Sequence, residues 1–72
     1  TMKFKQLLRD KDITGAQLAR RINVSVYTVW KWTNGKGEPV AARMIKIADA
    51  LGVSVEEIVR CFAEKEEDKK IV

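Results

Sequence analysis

Two predicted helices, each opened by a recognisable N-cap residue, are joined by a very short connection, which restricts this chain to closely packed helices. Thr14 is followed at the third position by Gln17, the pattern of a capping box in which side chain and backbone bond reciprocally. Ser25 is a second N-cap residue, and only Asn23 and Val24 separate it from the preceding helical segment. With no strand-like alternation elsewhere, we expect short helices joined by tight connections.

Three further helices are predicted around this pair. Apolar residues at helical spacing predict a first helix over residues 4–11. Pro39 suits the first position of a fourth helix, which ends at Gly52. Ser54 and Glu57 form a second capping box that opens a fifth helix. The residues expected to face the core are Phe4, Leu7, Leu8, Leu18, Ala19, Ile22, Met44, Ile45, Ile47, Ala48, Leu51, Val55, Ile58, Val59 and Phe62.

The fold class is therefore all-α, with five short helices in one small domain. The chain of 72 residues has room for a single core. We expect the domain to cover residues 2–62, with Thr1 treated as a cloning remnant. Residues 63–72 are charged and carry no apolar period, which predicts a frayed or disordered tail.

The composition argues against an enzyme and against a metal or cofactor site. The chain has no histidine and one cysteine, Cys61, which excludes an internal disulfide and the common zinc sites. We expect Cys61 to be a small buried apolar residue. No glycine-rich phosphate loop or inward carboxylate pair is visible. A lone cysteine is typical of the reducing cytoplasm, where we expect the protein to be. No apolar run approaches the ~20 residues of a membrane span, and no signal peptide is recognisable.

Charge is divided unevenly along the chain. Residues 1–46 hold ten Lys/Arg and three acids, a net +7, whereas residues 47–72 hold four Lys/Arg and seven acids, a net −3; together they give the overall +4. A basic front half indicates a surface that faces a polyanion.

The third helix, which begins after Ser25 and ends at Asn34-Gly35, has two different faces. At about 100° per residue, one face holds Thr28, Val29 and Trp32. The opposite face holds Val26, Tyr27, Trp30, Lys31 and Asn34. We assign Trp32 to the core. The other face is too apolar for a solvated surface, which predicts contact with a partner, either a DNA groove or another protein.

These segments resemble the phage-repressor and Cro-type helix-turn-helix family, also called the Xre type. The resemblance rests on TGAQLARRINVSVYTVWKWTNG, the following Pro39, and IADALGVSVEEI, and it extends over residues 3–62. It implies a lambda-repressor-like domain, with the second and third helices as the helix-turn-helix. It further implies a transcriptional regulator, most simply a repressor of phage or mobile-element type, that binds an operator in double-stranded DNA as a homodimer. No small-molecule substrate and no membrane are implied.

Site residues carry over from the resemblance position by position. The third helix would lie in the major groove, and the predicted base-reading residues are Val26, Tyr27, Trp30 and Lys31. The resemblance places phosphate contacts at Thr14, Gly15, Asn34, Lys36 and Arg43. Arg20 and Arg21, on the outer face of the second helix, complete the predicted set of phosphate-contacting residues. Lys31 could donate to guanine, and Val26 could contact a thymine methyl. We predict thymine near the outer positions of each half-site.

Several positions depart from the family pattern. Gly15 stands where many members have glutamine, and Glu38 stands where many have a basic residue. We therefore expect this chain to bind phosphates more weakly than is usual in the family. Leu8 and Thr33 replace an internal arginine–glutamate pair. Because both ionic partners are absent together, no buried charge is stranded.

Two questions stay open at this stage. The same scaffold could serve as a protein-interaction module of antitoxin type, with Tyr27 and Trp30 as anchors. A homodimer could form through the fifth helix, the loop near Gly37, or the tail that ends at Ile71-Val72.

Overall fold

The computed structural model describes the backbone of residues 3–70 and the side chains of residues 3–63. Over this part of the chain the protein has five α-helices and no strand, which confirms the predicted fold class. The helices are α1 (Phe4–Asp10), α2 (Gly15–Ile22), α3 (Val26–Thr33), α4 (Ala41–Leu51) and α5 (Val55–Lys70).

The predicted caps of α2 and α3 are present. The Thr14 hydroxyl accepts a hydrogen bond from the Gln17 N–H at 3.1 Å, and the Thr14 N–H donates to Gln17 Oε1 at 2.9 Å. Asn23 ends α2 in the left-handed region, with φ of 60°. The Ser25 hydroxyl then accepts from the Thr28 N–H at 3.1 Å. Local hydrogen bonds thus fix both ends of the short connection between α2 and α3.

The start of α4 differs from the prediction. Pro39 is not its first residue, because Val40 is the N-cap and holds an extended conformation with ψ of 164°. Pro39 is instead buried in the connection from α3. Two other predicted limits hold: Gly52 ends α4 with φ of 71°, and α5 begins after Ser54, whose hydroxyl accepts from the Glu57 N–H at 3.2 Å. Of the capping box predicted there, this is the half that forms, because the Ser54 N–H makes no hydrogen bond to the Glu57 side chain.

The core is centred on α2 and on a cluster of aromatic rings. α2 packs against α3 and α4, while α1 packs against α3 and α5. The Phe4 ring lies edge-on to Trp32, with centroids 6.4 Å apart, and 5.1 Å from the ring of Phe62. Trp32 is only 7% exposed, which confirms it as the core tryptophan, and Cys61 is buried as predicted.

Three residues predicted to face the core are exposed instead. Ile45 is 57% exposed, and Val55 and Val59 are 39% and 42% exposed. On these helices Ile47 and Ile58 are fully buried. α4 packs against α2 and α5, and α5 packs against α1 and α4, but the apolar stripe of each helix is wider than these contacts cover. The residues at the margin of each stripe therefore remain in solvent.

The charged segment after Phe62 is helical as far as Lys70, whereas periodicity predicted a frayed tail from residue 63. This segment is rich in glutamate and lysine, which have high helix propensity without an apolar stripe. Ile71 and Val72, the predicted end of the tail, lie outside the described residues.

Candidate nucleic-acid interface

The outer face of α3 is exposed and largely apolar, as the sequence predicted. Val26 is 56% exposed, Tyr27 65% and Trp30 47%. The residues on the inner side of the same helix are covered, and Val29 has no exposed surface. Because three large apolar side chains cluster on one helical face, this surface is a candidate for a binding interface.

The aromatic side chains of this face are ordered by contacts with each other. The Tyr27 and Trp30 rings are stacked, with centroids 5.8 Å apart and an interplanar angle of 12°. Lys31 Nζ lies 5.4 Å from the centroid of the Tyr27 ring, within reach of a cation–π interaction. We call Tyr27, Trp30 and Lys31 the stacked patch. The patch presents a flat apolar surface with one cationic group at its side.

The beginning of α2 offers backbone donors beside this face. The Thr14 side chain and N–H are both engaged in the capping box. Gly15 and Ala16 occupy the first two positions of the helix, where N–H groups have no partner within the helix. A Cβ placed on Gly15 would lie 3.4 Å from Val29 Cγ1, an ordinary van der Waals contact, so α2 and α3 leave room for a small side chain at this position.

Asn34, a predicted phosphate contact, is committed to capping α3. Its side-chain amide donates to the Trp30 carbonyl at 2.9 Å and to the Thr33 hydroxyl at 3.3 Å, and its backbone N–H also donates to Trp30. Lys36 has an exposed side chain after the left-handed turn at Gly35. Lys36 is thus the better placed of the two for a phosphate.

The three predicted arginine contacts stand in different settings. Arg20 is exposed on α2. Arg21 Nη1 donates to the Ala50 carbonyl at 3.2 Å, which ties α2 to the end of α4. Arg43 is half-buried in the first turn of α4. Arg21 therefore has a structural contact in addition to any role toward a ligand.

An open groove of about 500 Å³ lies on the surface where α1, the start of α2 and α3 meet. We call it the α1–α3 groove. The residues that line it are Lys5, Leu8, Arg9, Asp12, Ile13, Thr14, Gly15, Ala16, Val26, Val29, Trp30 and Thr33. Leu8 and Thr33 stand where the family pattern has an internal arginine–glutamate pair. Leu8 is buried and the Thr33 hydroxyl donates to the Trp30 carbonyl, so neither position leaves an unpaired charge. Sequence reasoning missed Lys5 and Arg9; their spacing of four residues beside Leu8 was the available signal.

Within the described residues, no helix is both long and apolar enough to cross a membrane. The same part of the chain contains no group of three or more histidine, cysteine, aspartate or glutamate side chains that could hold a metal ion.

Comparison with known proteins gives matches over most of the chain. Residues 3–64 match the sequence model of the Cro/C1-type HTH DNA-binding domain. The "Cryptic phage CTXphi transcriptional repressor RstR" of Vibrio cholerae serotype O1 is 35% identical over 69 residues, covering 90% of this chain and 62% of that protein. An "Uncharacterized HTH-type transcriptional regulator" of Haemophilus influenzae is 33% identical over 51 residues, covering 71% of this chain and 21% of that protein. The chain thus spans less than two thirds of the length of either relative. No solved structure matches it significantly.

Proposed function

The chain belongs to the Cro/C1-type helix-turn-helix DNA-binding family, and from that premise we propose that it is a sequence-specific transcriptional regulator. Its partner is an operator in double-stranded DNA, its action is repression of phage or mobile-element type, and it has no catalytic activity of its own. The relative from Vibrio cholerae that is named a phage transcriptional repressor supports this direction of control. The proposed place of action is the cytoplasm.

The exposed outer face of α3 carries the proposal. In the proposed complex, α3 lies in the major groove with Val26, Tyr27, Trp30 and Lys31 toward the bases. Lys31 donates to guanine O6 or N7, and Val26 contacts a thymine methyl. The stacked rings of Tyr27 and Trp30 cover methyl groups or sugars at the edge of the groove. Because lysine is the one strong donor toward base edges here, apolar contacts should supply much of the sequence preference.

Phosphate contacts hold α3 in register and carry no sequence information. The start of α2 supplies the backbone N–H groups of Gly15 and Ala16, which have no partner within the helix and favour an anion. Thr14 stays in the proposed set of phosphate contacts, although its side chain and N–H are both engaged in the capping box. We propose that the cationic side chains of Arg20, Lys36 and Arg43 bind phosphates around α3. Arg21 and Asn34 belong to the same proposed set, although each also has an intramolecular hydrogen bond.

A homodimer on DNA completes the proposal, since two-fold symmetry in the protein matches a palindromic operator. The two copies of α3 would then lie one DNA turn, ~34 Å, apart. Among the surfaces that sequence reasoning left open, α5 has the support of two exposed valines, Val55 and Val59. The loop near Gly37 offers no comparable apolar side chains apart from Val40.

Selection of binding sites from random DNA, followed by footprinting, tests the function. We expect one enriched sequence with thymine near the outer positions of each half-site, protected on one face of the duplex. Lys31→Gln should relax the preference at one base pair, whereas Lys36→Gln should weaken binding to all sequences equally. A selection that enriches no sequence would contradict the proposal.

The stacked patch also favours a second candidate, a protein-interaction module of antitoxin type. Exposed tyrosine and tryptophan are the residues most enriched at the energetic centres of protein interfaces. Binding to a random duplex separates the two functions. A DNA-binding protein loses affinity with salt at a slope of about −0.9 per phosphate contact. Absence of salt-dependent binding at low salt would favour a protein partner.

A further inference from the structure

The α1–α3 groove combines two cations with an apolar wall. Lys5 and Arg9 lie on α1 with a spacing of four residues, which puts them on the same side of the helix, about 6 Å apart along its axis. Neither forms an ion pair within the described residues. Neither belongs to the set of DNA contacts proposed above. Their charges therefore face a groove without a known occupant.

The opposite wall of the groove belongs to α3. Trp30 and Val26 line the groove and are also members of the exposed face of that helix. Val29 and Leu8, both buried, form part of the floor. The groove is thus continuous with the surface proposed to read bases, and whatever lies along it also touches Trp30.

We propose that the α1–α3 groove holds the sugar–phosphate backbone of the DNA strand that flanks the bases read by α3. Lys5 and Arg9 contact successive phosphates, and the exposed part of the Trp30 indole packs against deoxyribose. This inference rests on the proposed DNA-binding function and adds α1 to the binding surface.

The chemistry of the groove matches this occupant. A DNA strand alternates anionic phosphates with apolar sugar faces, and the groove sets two cations opposite an indole. Asp12 is the one carboxylate in the lining and repels phosphate, so the strand should lie toward Lys5 and Arg9.

The test measures how the binding of a random duplex of ~20 base pairs, two helical turns, depends on salt. Each phosphate contact adds about 0.9 to the slope of log affinity against log salt. The double variant Lys5→Gln/Arg9→Gln should therefore lower the slope by about 1.8. When salt is raised from 50 to 200 mM, both proteins lose affinity, and the fold-loss of the variant should be about ten times smaller than that of the unchanged protein. Trp30→Ala should lower affinity without lowering the slope, since the indole is uncharged.

A matched control removes the same charge elsewhere. Lys46 and Arg60 are exposed on α4 and α5, and neither lines the groove. Arg60 differs from the groove residues in forming an ion pair with Glu56 at 2.7 Å, on the exposed surface of α5. The double variant Lys46→Gln/Arg60→Gln should keep the original slope. Equal slopes for the groove variant and the unchanged protein would overturn the inference and leave the proposed function standing. The same holds if the control variant lowers the slope as much as the groove variant does. No salt-dependent binding by the unchanged protein would overturn both proposals. Circular dichroism confirms that each variant is folded.

Discussion

Replacing Trp32 with alanine should remove a large part of the stability of this domain. A buried tryptophan takes about 150–250 Å² out of water, and at about 25 cal/mol per Å² this corresponds to roughly 4–6 kcal/mol. Trp32 is 7% exposed, so almost all of this area is buried. Since alanine keeps part of the contact, we expect a loss of about 3–5 kcal/mol, the range of such core truncations.

A loss of this size is serious because the free energy of unfolding of the whole domain is small. A domain of 72 residues has a free energy of unfolding of about 4–10 kcal/mol. Trp32→Ala should therefore be largely unfolded or close to it at 37 °C. Trp32→Phe keeps one aromatic ring against Phe4 and should lose only about 1–2 kcal/mol, which keeps the measurement within range.

Trp30→Ala is the matched control, because the same residue type is removed from the exposed face. Trp30 is 47% exposed, so at most about half the area, worth roughly 2–3 kcal/mol, is lost. Urea titration followed by far-ultraviolet circular dichroism gives both free energies without depending on indole fluorescence. Equal losses at the two positions would refute the assignment of the two faces of α3.

Three further predictions follow from single contacts. Thr14→Ala removes the capping hydroxyl of α2 and should lower the free energy of unfolding by about 1 kcal/mol, measured in urea, while Thr14→Ser should keep most of it. Gly52→Ala forces a side chain into the left-handed region, with φ of 71°, and should cost about 1–2 kcal/mol, whereas Gly37→Ala, with open space around it, should be neutral or slightly stabilising in the same titration. Val59→Glu places a charge on the apolar surface of α5 and should reduce the stoichiometry on operator DNA from two chains to one, measured by sedimentation; two chains still bound would rule out α5 as the dimer contact.

Local signals in the sequence predicted most helix limits correctly. The capping box at Thr14, the N-cap at Ser25 and the helix end at Gly52 depend on hydrogen bonds or backbone angles within a few residues, so neighbouring residues determine them. Pro39 was misplaced because its fixed φ suits both a first helical position and the extended connection in which it lies.

Predictions that depend on neighbouring helices were less complete. Ile45, Val55 and Val59 have helical spacing, but spacing does not give the width of the surface that another helix covers. The pairing of Tyr27 with Trp30 arises from their rotamers, which the order of residues does not specify. The α1–α3 groove was missed for a similar reason, since its walls come from segments far apart in the sequence.

The position of Phe4 links α1 and α5 to α3, the helix proposed to read DNA. Its ring touches Trp32 on α3 and Phe62 on α5, so these helices share one side chain as a packing partner. Detachment of α5 would remove the Phe62 ring from Phe4 and loosen the support behind α3, so both helices should open together in amide hydrogen exchange. Any contact that clamps α5, including a second copy of the chain, would then slow the opening of α3. Assembly and DNA reading would in this way be thermodynamically linked through a single ring, without a change of shape.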